Sequence, residues 1–386
     1  MSRDLRSAIA AALVMAVAMG FGRFAFTGLY PVMVRDGVIS VSDGSLAASA
    51  NYLGYLLGAL GAARLSAARA HSWVLAGLVA TVLGLAALAV AGAPWLIVCV
   101  RGLAGAFSAL AMIAASLWLL QHRGHARGAP LLYAGVGLGI ALSAELLALG
   151  EWAGLGAFAL WGLLAGVALL LSLASLPWLD ASAIEPAAVH ATQSAQAPLV
   201  AWRLIGLYGL AGLGYIVTAT YLPLLIEGAL GAANPVHAWT VFGLGAAPSC
   251  LLWHRLHERL GTRRALALNL AVQGVGVVLP ALSQAPLVYL ASALLVGATF
   301  MGTVTIALPA ARLAAGDSKL NMMAVMTAAY GVGQIAGPLV AGWLYARSHS
   351  FASSLVLAAL ALWLGALLAE PFRNPSEPIG EHADEH

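Results

Sequence analysis

Stretch after stretch of this chain runs for about 20 residues with almost no Asp, Glu, Lys or Arg before a short polar break. A helix of that length crosses the roughly 30 Å hydrocarbon core of a bilayer. Breaking the chain at its polar and Pro/Gly clusters predicts spans near 7–33, 44–64, 73–93, 95–120, 129–149 and 153–177. A second set falls near 203–227, 236–256, 264–283, 286–311, 321–345 and 350–369. Only 9% of the 386 residues are charged, whereas a soluble domain carries roughly 25%. That is too little to clothe a water-facing surface, so the chain reads as an all-α membrane protein of about 12 transmembrane helices. The N-terminal apolar stretch is too long for a signal peptide and reads as the first span.

The few charges orient the chain. With the N-terminus inside, 14 Lys or Arg lie on the cytoplasmic side, and only Arg35 and Arg347 lie outside. Arg23 and Arg101 fall within helices. Positive charge collects on cytoplasmic loops, so the split predicts an even number of helices and both termini in the cytoplasm. No basic run interleaved with aromatics exists, which excludes nucleic acid as a partner. Cys99 and Cys250 sit in apolar segments and suggest no disulfide or metal framework. Residues 178–201 are rich in Ala, Pro, Gln and Ser and read as a cytoplasmic linker. It separates a six-helix bundle at 1–177 from another at 202–369. The acidic, Pro-broken tail at 370–386 reads as disordered.

The two halves share a repeat. Gly20, Gly22 and Pro31 of the first span recur as Gly212, Gly214 and Pro223 of the seventh, all offset by 192 residues. The same offset carries Pro94 to Pro286 and Gly105 to Gly297, while Gly135 and Gly137 match Gly331 and Gly333 with a four-residue slip. Spacings such as Gly54-x-x-x-Gly58 and Gly135-x-x-x-Gly139 allow helices to cross closely.

Arg101-Gly-Leu-Ala-Gly105 resembles the Arg-x-x-x-Gly element of the major facilitator superfamily. Glu258-Arg259-Leu-Gly261-Thr-Arg263-Arg264 resembles its cytoplasmic Asp-Arg-x-Gly-Arg-Arg loop, and Gly333-Gln-Ile-Ala-Gly337-Pro338 is similar to its Gly-Pro element. The first-half loop Gly61-Ala-Ala-Arg64 lacks the acidic residue of the loop motif, and the Gly-Pro element sits in the eleventh span rather than the fifth. Gly20-Phe-Gly22-Arg23-Phe24-Ala-Phe-Thr27 with Asn51-Tyr52-Leu-Gly54-Tyr55 resembles the YbfB/YjiJ-like bacterial branch. The resemblance implies a monomeric transporter with its site between the halves near the bilayer midplane. It also implies that Arg101 serves proton coupling or fixes its helix, and that Glu258, Arg259, Arg263 and Arg264 lock one conformation by ion pairing.

Arg23 is the sharpest residue in the chain. A guanidinium in hydrocarbon costs several kcal/mol and should face a cavity or a partner. It can grip a carboxylate with two bonds, hold helices together as an ion-pair member, or snorkel to the interface. Glu145 is the one acid well inside a first-half helix. It is expected either to pair with Arg23 and couple transport to protons, or to sit wet and inert near its helix end. Tyr215, the repeat partner of Arg23, joins Asn51, Tyr52, Tyr55, Tyr330 and Gln334 as a polar, neutral wall for a solute. Each of these taken singly is also a common helix–helix hydrogen bond.

These readings predict a secondary transporter of the bacterial inner membrane that moves a small, monocarboxylate-like organic anion, coupled to protons. The alternatives are proton-coupled efflux of hydrophobic or cationic compounds and, more remotely, a membrane sensor on a transporter fold. No P-loop, metal-ligand set or Gly-x-Ser-x-Gly elbow appears, so neither a cofactor nor an enzyme activity is expected.

Overall fold

A computed structural model of the protein describes residues 2–62, 64–180, 200–226, 234–314 and 322–369. The linker core at 181–199 and the tail at 370–386 lie outside them. The described residues are helical throughout, connected by short turns. In the first part of the chain the long helices are α1 (Arg3–Arg35), α2 (Val41–Ala62), α3 (Ala70–Leu88), α4 (Pro94–Leu117), α5 (Ala129–Trp152) and α6 (Ala157–Ser175). After the linker comes α7 (Ala201–Leu225), then a 46-residue stretch, His237–Leu282. Gly261 breaks that stretch with φ 76° and ψ 167°, which divides it into α8 (237–260) and α9 (262–282). The sequence predicts a loop here; the structure turns the corner on one residue, because glycine alone reaches that backbone conformation without strain. Then follow α10 (Pro286–Ala314), α11 (Met322–Ser348) and α12 (Ala352–Ala369).

Among the described residues, nine segments are long and apolar enough to cross a membrane, the undivided His237–Leu282 counting once. The helices outside that set, α2 and α11, carry all the residues assigned to the solute wall except Tyr215, and they pack against each other. Helices α1, α2 and α5 meet α7, α11 and α8 respectively. These contacts form the seam between the first six helices and the last six.

The repeat is visible in the crossings. A side chain at Gly20 would strike the backbone of α5 at Gly139, and one at Gly212 would strike the backbone of α11 at Tyr330. Gly105 likewise lies on the carbonyl of Asn51 in α2, and Gly297 on that of Phe242 in α8. Equivalent helices therefore cross at equivalent glycines. The slipped match fails: Gly135 packs on Ala12 of α1, whereas Gly331 packs on Leu56 of α2. Gly54 and Gly58 both let α2 settle onto the backbone of α4.

Candidate functional site

The site begins with an irregularity in α1. Residues Ala16–Phe24 are wound as a π-helix, a form that shifts the backbone ladder and is common at functional positions. Arg101 of α4, 1% exposed, donates from Nη1 to the carbonyl of Gly22 at 3.1 Å and from Nη2 to that of Arg23 at 3.0 Å. Trp239 of α8 donates from Nε1 to the next carbonyl, Phe24, at 3.1 Å. Three successive carbonyls of the wound segment are thus held by side chains, one of them from the other half of the chain. The Phe26 ring covers the Arg101 guanidinium at 4.5 Å. Arg101 acts as a clamp on α1, and among the described residues no carboxylate pairs with it.

Arg23 is presented by this segment and is 3% exposed. Its guanidinium lies 3.8 Å from the ring centroid of Tyr55 and 5.2 Å from those of Tyr52 and Phe24. Aromatic faces are attracted to a cation and strengthen their hold when water is excluded. Nε and Nη2 are buried and have no hydrogen-bonding partner among the described residues. These two groups share one edge of the planar guanidinium, the edge that takes a carboxylate with two parallel bonds.

The structure does not bring Glu145 to Arg23. Glu145 is half-exposed, 2.9 Å from His237 Nδ1, and accepts a short bond from Thr240, both on α8. It lies about 10 Å from the end of α5, whereas Arg23 is about 18 Å from the corresponding end of α1 at 1.5 Å per residue. The spans expected from sequence, 7–33 and 129–149, already set the two residues about 15 Å and about 6 Å from that end at 1.5 Å per residue, so the pairing was not supported by depth.

Tyr215 stands on the opposite wall, as the repeat requires. Gln334 of α11 donates to its hydroxyl. Its ring stacks on Phe300 at 5.6 Å and on Tyr330 at 5.7 Å. Phe24 bridges the walls, 5.2 Å from Arg23 and 6.0 Å from Phe300. Tyr52 shares a 3.1 Å hydrogen bond with Thr220 of α7 across the seam, and Tyr55 donates to Met112 Sδ at 3.2 Å. Asn51 departs from its expected role: its amide donates to the Arg101 carbonyl at 2.8 Å, and it is fully buried at the α2–α4 crossing. Sequence reading missed Trp239, Phe300, Met112 and His237. Of these only the Trp239–Phe242 pair, three apart on α8, offered any signal.

The hydrogen bonds that cross the seam gather between Arg23 and the end of the bundle remote from the N-terminus (the far end). Thr27 donates to the Ala219 carbonyl at 2.6 Å, Tyr221 to Ser45 at 2.7 Å, Ser49 to the Ile335 carbonyl at 3.1 Å and Asn234 to Glu151 at 2.7 Å. Towards the near end, Tyr55, Met112, Tyr133 and Tyr330 are only partly buried. At that end Glu258 pairs with His254 on its own helix at 3.4 Å, and His257 bonds Thr262 across the Gly261 corner at 2.9 Å. Arg259 and Arg264 are exposed there.

A family model described as "Uncharacterised MFS-type transporter YbfB" matches residues 15–370. Among solved structures, the chain is similar to the crystal structure of nucleoside transporter NupG, with a TM-score of 0.68 over 96% of this chain and 98% of that one. The identity is 14%, so the likeness shows the fold alone. No curated protein matches the chain.

Proposed function

The chain belongs to the YbfB-type family of MFS transporters, and we propose that within it this protein carries a small organic anion, a monocarboxylate, across the bacterial inner membrane. It is a multi-pass secondary transporter. The proposed cycle rocks two six-helix bundles, 1–177 and 202–369, about a site on the seam, in a monomer with both termini in the cytoplasm. The seam closed at its far end, with partly open tyrosines on the near side, supports a state that faces the cytoplasm. The loop Glu258–Arg264 would brace the opposite state.

One observation carries the anion reading. Arg23 is buried with the Nε–Nη2 edge unpartnered, whereas Arg101, at similar burial, is engaged through both terminal nitrogens. A desolvated donor pair without a partner is unfavourable, and a carboxylate supplies both missing acceptors. The same buried cation disfavours efflux of cationic compounds. A nucleoside, the substrate class in NupG's title, is neutral and would offer that edge only uncharged acceptors, where a carboxylate gives two charge-assisted bonds. Protons would couple through Glu145 and His237, which join α5 to α8 at the far end. Protonating Glu145 removes an acceptor that holds the seam, while Arg101 positions α1.

Thermal melting of the purified protein against small carboxylates, amines and uridine tests this, because a ligand that binds only the folded state raises the melting point. Carboxylates should stabilise the wild type. Losing two charge-assisted bonds, each roughly 1.5 kcal/mol or more, should weaken binding about a hundredfold in Arg23→Ala. Stabilisation by amines or uridine alone, unchanged in Arg23→Ala, would sink the anion reading.

A further inference from the structure

We infer that the anion taken by Arg23 carries a flat ring, so that the substrates are aromatic monocarboxylates; this rests on the anion reading above and narrows it. The ground is where the chain puts its rings. In membrane proteins tyrosine collects at the two bilayer interfaces. Here no tyrosine is among the exposed large apolar side chains, which are mostly leucine. The tyrosine rings turn inward instead, most of them to the seam, while Trp73, Trp95, Trp152, Trp202 and Trp343 stay exposed.

On the side of the last six helices they form a continuous ladder. Tyr208, Tyr330, Tyr215, Phe300, Phe242 and Trp239 follow one another at centroid distances of 4.5, 5.7, 5.6, 5.3 and 4.3 Å. Their successive planes differ by 30°, 19°, 13°, 30° and 26°. Four helices contribute to it. Leucine would fill such a core as well if apolar volume were the only requirement. Near-parallel, offset rings instead present the geometry that a further flat ring prefers over an aliphatic chain. The ladder meets Arg23 through Phe24, while Tyr52 and Tyr55 complete the opposite wall.

The charges limit the substrate further. Arg101 is occupied by carbonyls, so one guanidinium edge serves one carboxylate. Among the described residues no acid pairs with Arg23 or Arg101, and Glu145 is turned to His237 and Thr240. An aromatic amino acid would bring an ammonium for which the described residues at Arg23 offer no carboxylate, only the Gln334 amide oxygen and the ring faces. A plain ring carboxylate of benzoate type is the better match.

Melting of the full chain with five probes separates this inference from the reading beneath it: benzoate, cyclohexanecarboxylate, butanoate, L-phenylalanine and uridine. Benzoate should stabilise at concentrations roughly tenfold lower than its saturated analogue, the order of one aromatic contact. Tyr215→Leu keeps apolar bulk and should remove benzoate's advantage, read as the ratio of the two ligands within the same variant. Arg23→Lys should weaken both. Equal stabilisation by benzoate and cyclohexanecarboxylate, or an advantage that survives Tyr215→Leu, overturns the ring inference and leaves the anion reading standing. Preference for phenylalanine over benzoate overturns it too. Stabilisation by uridine alone, or by none of the five, overturns both.

Discussion

One added methyl group distinguishes contacts inside a bundle from contacts between bundles. Gly137 of α5 faces α8. A Cβ there would stand 2.5 Å from the Gly243 carbonyl oxygen and 2.8 Å from Ala247 Cα, while ordinary contact begins at 3.4 Å. Both obstacles are backbone, so the helices must part by about 1 Å, and overpacking of this kind costs about 1–3 kcal/mol. A Cβ at Gly20 meets the same obstruction, 2.5 Å from Gly139 Cα and 2.8 Å from the Ile140 nitrogen, but there both helices belong to the first six. No rocking motion relieves Gly20→Ala, so it should lower the melting temperature. Gly137→Ala lies on the seam itself and is relieved where the two bundles part, so the same energy should shift the conformational equilibrium by roughly 5- to 150-fold. Ser45 reports the opening: it is 3% exposed and held by Tyr221. In a chain with Cys99 and Cys250 replaced, Ser45→Cys should react with a membrane-impermeant maleimide at least fivefold faster when Gly137→Ala is added, and no faster with Gly20→Ala. Unchanged labelling, with a melting point lowered as in Gly20→Ala, would show that α5 and α8 move as one body.

Two further substitutions test the supports of the site. Arg101→Ala removes the donors to the Gly22 and Arg23 carbonyls, each buried acceptor left unmatched costing about 1–3 kcal/mol. The melting point should fall and Arg101→Lys should recover part of it, whereas a pure proton carrier would lose coupling with no change in stability. Gly261→Ala forces a side chain into φ 76°, ψ 167°, a strain of about 1–3 kcal/mol; a variant that melts with the wild type would show that the corner relaxes freely.

Much of this was legible in the sequence, because a bilayer leaves the backbone few options. Every N–H and C=O must be satisfied within the helix, so apolar runs translate directly into spans. Gly20 and Gly212 were readable as a repeat because a helix crossing at backbone distance tolerates only glycine. The slip between Gly135 and Gly331 misled because, in helices this rich in glycine, a match one turn away looks equally good. The Arg23–Glu145 pair failed for a geometric reason. Whether two side chains meet depends on depth and on rotation about each helix axis, and uncertain helix ends fix neither. The π-helical winding of Ala16–Phe24 has no compositional mark, since it is stabilised by Arg101 and Trp239 arriving from other helices. Phe300 was invisible for a similar reason: one phenylalanine in an apolar helix faces lipid as readily as a ligand.

Trp239 ties these pieces together, since it joins the segment that carries Arg23 to the helix that seals the far end. Its indole N–H holds the Phe24 carbonyl at 3.1 Å, and its ring stacks on Phe242 at 4.3 Å. Trp239→Phe keeps an aromatic ring against Phe242 and removes the N–H alone. The bond exists only while α8 lies against α1, so its loss, about 1–3 kcal/mol for a buried carbonyl left bare, raises the closed state and spares the open one. Labelling at Ser45→Cys should accelerate, as it does with Gly137→Ala. Apparent affinity scales with the fraction of protein in the binding-competent state. Both variants should therefore bind a stabilising carboxylate more weakly, by no more than the loss of closed population that labelling reports. The two substitutions act by different chemistry, one steric and one through a hydrogen bond, on residues of different helices. If they fall on one line of affinity against labelling, far-end closure and anion binding share a single equilibrium. Faster labelling at undiminished affinity would mean that Arg23 meets its ligand whether or not the seam is closed.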